Sequence, residues 1–587
     1  MKRERGITLI ALIITIIILL LLAGITLHAL NGEYSIIEET KNVVDKANAK
    51  AEEEKEILDS ISNILNKPEP VYAKVYKQSD NEYHLVFNKT GELAEGYTEE
   101  QILYETGDIT NGLTENPWKD YKKYIKKAII EEKIKPASTD YYFYDLYEMT
   151  EIENFSNIDT SNATSMKGMF TSCSELAELD VSTFNTSKVT NMSYMFGTDD
   201  DWDTNNWDEI IGLEQLDTRN VTDMSYMFSY CVSLDDINLS NFKTANVTTM
   251  EGMFRGCSSL QTIDVSNFVT SNVTNMSGMF GDKSYYCSMY KLKEIIGLEN
   301  LDTRNVTDMS YMFAYCEVLE NINLINFKTA NVTNMAGMFS NCKKLTSLDL
   351  TPLNTANVTN MNSLFGSCRG LTTSNLMPLN TTKVTEMRGM FAYCTSLTSL
   401  DLAPLDTTNV TDMANIFMGC SGLTSLDLSP LKTTNVTDMS NMFWGCSGLT
   451  SLDVTPLDTR NVKSMLRMFC ECSGLTSLDL SKFSTENAES LAQMFRYCTG
   501  FTSLDLTNFN TSKVNNISSM FSESVNLVTI YVSDKWATEA ITSSTGVFTN
   551  CKSLVGQISF ASSKTSGAYA NYTDGYLTYK AIEENIE

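Results

Sequence analysis

Leu423-Thr-Ser-Leu-Asp-Leu-Ser-Pro-Leu-Lys-Thr-Thr-Asn-Val-Thr-Asp-Met-Ser-Asn-Met-Phe-Trp-Gly-Cys-Ser-Gly448 is one of fifteen variants of a single pattern in a chain of 587 residues. The marker phenylalanines are Phe170, Phe196, Phe228, Phe254, Phe280, Phe313, Phe339, Phe365, Phe391, Phe417, Phe443, Phe469, Phe495, Phe521 and Phe548, and eleven of the fourteen steps between them are 26 residues long. A fixed period between about 20 and 50 residues means that each unit buries its apolar side only by stacking on its neighbours. The predicted fold is therefore a solenoid.

Within the unit, period-two alternation points Leu426 and Leu428 inward and Ser425 and Asp427 outward, which predicts a short parallel strand. Pro430 ends it and Leu431 turns in. Val436, Met439, Met442, Phe443 and Cys446 follow at steps of three and four, which predicts a short helical segment with Thr437 and Asp438 at its start. Gly445 and Gly448 free the return turn. The expected fold class is an α/β solenoid of about 15 rungs, one short strand plus a short helix or turn each.

Two longer rungs interrupt the period, and both carry the string Glu-Ile-Ile-Gly-Leu-Glu, starting at Glu209 and at Glu294. An 85-residue duplication explains the pair. Insertions in a solenoid map to loops, so Trp202, Trp207, Asp201 and Asp203 form a candidate binding loop, and Tyr285, Tyr286, Cys287 and Tyr290 its counterpart. Asp199, Asp201, Asp203 and Asn205 alternate as in a calcium loop, but Thr204 stands where the turn glycine belongs, so the loop reads either as solvated acid or as a calcium site. No other cofactor is expected.

The most regular polar feature is an outward aspartate at one phase: Asp180, Asp264, Asp349, Asp401, Asp427, Asp453, Asp479 and Asp505. Stacked like charges repel unless solvated, countered by cations or met by a basic partner, so the column is either a solvated face or a binding face. Ser425 and Trp444 join Asp349, Asp401, Asp427, Asp453, Asp479 and Asp505 as candidates for that face. Trp444, Arg467 and Arg496 are departures from the repeat, where a regular surface can encode a partner.

All fourteen cysteines lie in the repeats, twelve of them three residues after the marker phenylalanine. One cysteine per rung at one phase reads as a buried packing position, because parallel side-chain vectors suit a disulfide poorly. Cys470 and Cys472 lack the second ligand pair of a zinc site. The recurring Asn-Val-Thr triplets match glycosylation sequons and equally fit a structural asparagine at a turn. With two histidines in the whole chain and no unique nucleophile, no enzyme is expected. The formal charge of −29 has no basic stripe, which argues against nucleic acid.

Ahead of the repeats, Ile7 to Leu30 holds no Asp, Glu, Lys or Arg, long enough for a membrane helix. The basic residues precede it, which puts the N-terminus in the cytoplasm and the repeats outside. The expected organisation is a leader at 1–6, a transmembrane helix at 7–30, a helical stalk at 31–66, a linker with a small β-rich segment at 67–117, an N-terminal cap at 118–158, the solenoid at 159–551 and a C-terminal cap at 552–587.

Two resemblances add to this reading. The leader, Gly6-Ile7-Thr8-Leu9-Ile10 and the apolar helix resemble type IV pilins and pseudopilins, in which a peptidase cuts after the glycine. The resemblance implies cleavage between Gly6 and Ile7, but the family's assembly glutamate is replaced by Ala11, so a simple signal anchor and pilin-type processing both remain open. The L-x-x-L-x-L openings and the recurring N-V-T-D-M-S-x-M-F-x-x-C strings resemble the leucine-rich repeats of bacterial surface proteins of the BspA type over about residues 118 to 580. That resemblance implies a cell-surface protein that binds an extracellular macromolecule: a matrix protein, mucin, glycan or another cell's surface protein. The alternative is a pilin-like subunit of a surface fibre that displays the repeats.

Overall fold

The computed structural model describes residues 35–65, 67–176, 178–198, 204–283, 289–372 and 378–582. The expected membrane helix at 7–30 and the candidate cleavage site Gly6 and Ile7 lie outside them. Among the described residues no helix is long and apolar enough to cross a membrane. The chain divides into two compact units, 1–67 and 68–587. In the first, helix α1 (Ser35–Leu65) lies within the segment 31–66 and ends ahead of Pro68, where the ring would block a further turn. Ile57 and Leu58 on it are exposed.

The second unit opens with strands β1 (Tyr72–Ser79), β2 (Glu82–Asn88), β3 (Ile102–Glu105), β4 (Ile125–Ile130) and β5 (Glu151–Glu153), in the sheet order β3-β1-β2-β4-β5. β1 and β2 are an antiparallel hairpin, whereas β2 pairs with β4 and β4 with β5 in parallel, Leu85 facing Ala128 and Ala128 facing Ile152. One sheet thus runs across the expected boundary at 117/118, and the hairpin supplies the antiparallel edge from which parallel stacking starts. Inward from it, Phe87 packs against Trp118, Tyr142 and Phe143. Phe143 stacks on Phe170 at 5.4 Å, and its N–H donates to the Met169 carbonyl as the marker residues do in later rungs. It is a sixteenth marker, hidden in sequence because Leu146 stands where the cysteine would be.

From Phe143 to Phe548 the marker rings form one offset stack, with neighbouring centroids 5.4 to 6.2 Å apart. Parallel bridges at a second phase run unbroken from Ser165 through Asp438 to Ser543, passing both inserts. The inserts therefore loop out without shifting the register.

Of the expected short helix or turn in each rung, the described residues form turns and no helix at the marker phenylalanine. In the type unit the N–H groups of Met439, Asn441, Phe443 and Gly445 donate to Ser464, Leu466, Met468 and Cys470 of the next rung, at 3.1, 2.7, 3.0 and 2.8 Å. The N–H groups between them close turns inside the rung: Met442 to Met439, Trp444 to Asn441 and Cys446 to Phe443. Ser440 N–H is taken by the Asp438 carboxylate at 2.8 Å. Every second donor thus points along the stack, which a helix cannot allow because it spends each N–H on its own fourth preceding carbonyl. The alternation needs left-handed backbone two residues either side of the marker, at Asn441 (φ 56°) and Gly445 (φ 73°). Spacing of three and four still buries Val436, Met439, Met442, Phe443 and Cys446 completely.

Among the described residues the expected strand is found in a minority of the rungs. Three-residue strands occur at β6 (Glu178–Asp180), β7 (Glu209–Ile211), β8 (Thr262–Asp264), β9 (Glu294–Ile296) and β10 (Ser503–Asp505), with β11 (Thr529–Val532) and β12 (Thr578–Tyr579) closing the stack. They pair in parallel as β6/β7, β8/β9 and β10-β11-β12. The turn that ends the leucine segment is the same with or without a strand: Ser429 N–H folds onto Asp427 and Leu431 N–H onto the Leu428 carbonyl, as Ser266 N–H folds onto Asp264 and Phe268 N–H onto the Val265 carbonyl after β8. Leu423, Leu426, Leu428 and Leu431 are nonetheless buried as the alternation requires.

A third column was not read from sequence. The buried Thr407 hydroxyl donates to the Lys432 carbonyl at 2.9 Å and accepts the Lys432 N–H at 2.7 Å, so one side chain clamps both backbone groups of one residue in the next rung. Thr433 donates likewise to Asp458, and Thr459 to Ser484. The signal was the threonine that recurs in Leu-x-Thr-x-Asn, hidden by assuming that buried positions are apolar.

Two substitutions test this architecture. Phe443→Ala opens a cavity in the ring stack and should cost about 3–5 kcal/mol in denaturant unfolding. Gly337→Ala places a Cβ 2.5 Å from Tyr311 Cε1 at φ 61°, so it should destabilise by about 1–3 kcal/mol, whereas Gly445→Ala, whose Cβ meets nothing nearer than 3.5 Å, should cost less.

Candidate binding faces

The aspartate column lies where the alternation put it. Asp349, Asp401, Asp427, Asp453 and Asp479 are exposed on the leucine segment, beside the exposed Ser425. Each does local work as well: the Oδ1 atoms of Asp349, Asp401, Asp427, Asp453 and Asp479 accept the N–H two residues on, all at 2.9 Å. These bonds hold the carboxyl pKa of Asp427 and of Asp349 below the ordinary value. Asp505 makes the same turn and in addition pairs with Lys580 Nζ at 2.5 Å, so the C-terminal segment closes that end of the column.

Asn238 and Asn323 occupy this position in other rungs and accept the same N–H, from Ser240 and Ile325. The turn needs an acceptor but no charge. Ile211 and Ile296 replace it in the insert rungs, facing Asp180 and Asp264, and both are about two-fifths exposed (40% and 41%). Beside them lie two matching grooves of about 480 and 470 Å³, bordered by Asp236 and Asn238 in one and by Asn321 and Asn323 in the other. The duplication has thus copied a surface as well as a fold.

The insert loop is corrected in part. Trp202, Asp201 and Asp203 lie outside the described residues. Trp207, expected on an exposed loop, is fully buried: it packs edge-on to Phe170 at 6.3 Å and its Nε1–H donates to the Phe196 carbonyl at 3.0 Å. Asn205 is also buried and donates to that carbonyl at 2.6 Å, which directs its amide into the stack. The marker at Phe196 has no cysteine after it, and these two side chains fill the rung. In the second insert the buried Asp282 binds Arg255 at 2.6 Å and the Tyr230 hydroxyl at 3.0 Å, a polar knot without a sequence signal. Among the described residues no group of histidine, cysteine or carboxylate side chains is arranged to hold a metal ion.

Trp444 does not join the aspartates. It sits on the turn segment of its rung, with the Arg467 guanidinium 5.6 Å from its ring centre. The thirteen described cysteines are buried and unpaired. Cys446 Sγ donates to the Phe417 carbonyl at 3.1 Å, and Ser524, in the cysteine position of the Phe521 rung, donates its hydroxyl to the Phe495 carbonyl at 2.7 Å. The column therefore consists of hydrogen-bond donors. Burial pushes the Cys420 thiol up to about 12. The asparagine of the recurring triplet is a structural residue: Asn435 Nδ2 donates to Thr408 at 2.8 Å and Asn461 Nδ2 to Thr434 at 2.8 Å.

The profile of the family described as "Mycoplasma protein of unknown function, DUF285" matches residues 138–210, 204–293, 283–377, 368–452 and 447–560. The chain belongs to this family. The five consecutive DUF285 matches take in the stack from Phe143 to Phe548, so the family is defined by the repeat itself. No curated protein matches the chain. Among solved structures, the one titled "Crystal structure of TLR13-ssRNA13 complex" is 12% identical, covers 82% of this chain and 85% of its own, and has a TM-score of 0.13, too low to bear on fold or function.

Two outcomes are expected here. Asp427→Ala should lower the melting temperature while Asp427→Asn, which keeps the acceptor, should leave it nearly unchanged at pH 7. The folded pKa values of Asp349, Asp427 and Asp479 lie below the unfolded value of about 3.9, so the contribution of these three is present above that pH and is lost as pH falls through the lower folded values; the wild-type melting temperature should fall over that window. The native protein should resist an alkylating reagent at pH 8 at all thirteen described cysteines, and the denatured protein should react at each, as counted by mass spectrometry.

Proposed function

We propose that this chain is a bacterial cell-surface protein, anchored through residues 7–30, whose BspA-type leucine-rich repeats bind a basic extracellular macromolecule through the aspartate column. The observation that carries the reading is the run Asp401, Asp427, Asp453, Asp479 and Asp505, five charges in consecutive rungs at a position that asparagine serves elsewhere with the same hydrogen bond. Charges that the turns do not require repel one another along the column, and a partner bearing Lys or Arg at matching intervals relieves that repulsion. Repetition adds avidity, since several weak ion pairs engage at once. The Gly6-Ile7 junction favours a second reading, a pilin-like subunit that displays the repeats on a fibre.

Residues 68–587 should bind one or more members of an array of matrix proteins, mucins and glycans. Changing Asp401, Asp427, Asp453 and Asp479 together to Asn should weaken that binding at least tenfold and flatten its salt dependence without lowering the melting temperature at pH 7. Undiminished binding by the variant would remove the column from the mechanism. A mature N-terminus at Ile7, read by mass spectrometry, would favour the fibre.

A further inference from the structure

The three departures from the repeat on the turn segment, Trp444, Arg467 and Arg496, come together in the structure although they belong to three successive rungs. The residue after the marker is small in most rungs: Ala314, Ser340, Gly366, Ala392 and Ser522 among them. Trp444 and Arg496 interrupt that row and flank Cys470, which is buried between them. Arg467 reaches over the Trp444 ring. Its Nε donates to Gln493 Oε1 at 2.9 Å, and Arg496 Nη1 donates to the same oxygen at 3.2 Å. Two guanidinium groups thus converge on one neutral acceptor.

The cluster has more donors than acceptors. Arg496 Nε–H and Trp444 Nε1–H are both buried and have no hydrogen-bond partner. Neither arginine is paired with a carboxylate among the described residues, although the chain carries 73 acidic residues against 44 basic ones. Glu471 is the neighbouring carboxylate, is exposed and makes no ion pair among the described residues. Buried donors left unsatisfied cost about 1–3 kcal/mol each, so an acceptor that reached this cluster would stabilise it. Guanidinium groups match a carboxylate in planar geometry, and an indole beside them stacks on the apolar face of a sugar ring.

We propose that Trp444, Arg467, Gln493 and Arg496 form a binding site for an acidic sugar, its carboxylate held by the arginines and its ring against the tryptophan. The site lies on the turn segment and not on the leucine segment that carries the aspartates, so it stands or falls independently of the aspartate column. Glu471 borders it and opposes the bound charge.

The test uses the full-length protein in detergent, titrated with a glucuronate oligosaccharide, a neutral oligosaccharide of equal length, a sulfated neutral oligosaccharide and polyglutamate, with tryptophan fluorescence and calorimetry as readouts. The glucuronate oligosaccharide should bind, the neutral one at least tenfold more weakly. Arg496→Lys, which keeps the charge and loses the fork, should weaken binding about tenfold, and Trp444→Phe should weaken it and abolish the fluorescence change. Glu471→Gln should strengthen it severalfold. Melting temperatures of the three variants separate loss of the site from loss of fold, and Glu471→Gln tests the proposal by a gain. Equal binding of the neutral oligosaccharide, no binding of glucuronate, or unchanged affinity in all three variants would overturn the site. Tighter binding of polyglutamate or of the sulfated sugar would replace the uronate by an acidic peptide or a sulfate ester.

Discussion

Each rung holds its neighbour through a division of backbone donors: on the turn segment, one N–H goes along the stack and the next closes a turn within the rung. Met439, Asn441, Phe443 and Gly445 serve the first purpose, Met442, Trp444 and Cys446 the second. The division leaves no buried amide orphaned on this stretch, which a stack without water at its centre requires. It also fixes two left-handed residues in each rung from Phe313 to Phe548, each costing roughly 1–2 kcal/mol when it is not glycine. The chain accepts that strain at Tyr226, Tyr311 and Tyr393, whose rings lie flat over Gly252, Gly337 and Gly419 of the next rung. Tyrosine and glycine therefore alternate here as partners across rungs, a pairing that side-chain propensity alone does not suggest.

Around that ladder the polar columns share one logic. Thr407 clamps both backbone groups of one residue in the following rung, Asn435 reaches back to Thr408, Asp427 closes its own turn, and the thiol of Cys446 caps the Phe417 carbonyl. Where a residue changes and the bond persists, the bond is what the fold requires. Ser524 keeps the bond of the cysteine column, and Asn238 keeps that of the aspartate column. The same comparison isolates what the fold does not require: the charge of the aspartates, and the excess of donors around Trp444, Arg467 and Arg496. Stacking accounts for neither.

Much of the core was legible because periodicity reports which side chains face inward whatever the backbone does. Leu426, Leu428, Val436, Met439, Met442, Phe443 and Cys446 are all buried as their spacing requires. Spacing of three and four was a poor guide to hydrogen bonding, since a chain of tight turns and a helix place side chains alike. Trp207 was misplaced for a related reason. An aromatic residue in an insertion suggests a loop, yet a rung lacking its cysteine has space that Trp207 and Asn205 fill. The hairpin of Tyr72–Ser79 and Glu82–Asn88 showed its strands in sequence but not its parallel pairing with Ile125–Ile130, which depends on pairs as distant in sequence as Leu85 and Ala128.

The sequence by itself determined the period, the number of marked rungs, the inward face and the outward column of aspartates, because each of these is a pattern along the chain. Only the tertiary structure decided that rungs are joined by alternating turn donors, that Phe143 begins the ring stack, that threonine and cysteine serve as donors to neighbouring rungs, and that Trp444, Arg467 and Arg496 meet. Those facts lie between residues about one period apart, where the direction of an N–H or a side chain is set by the neighbouring rung and leaves no mark in local order.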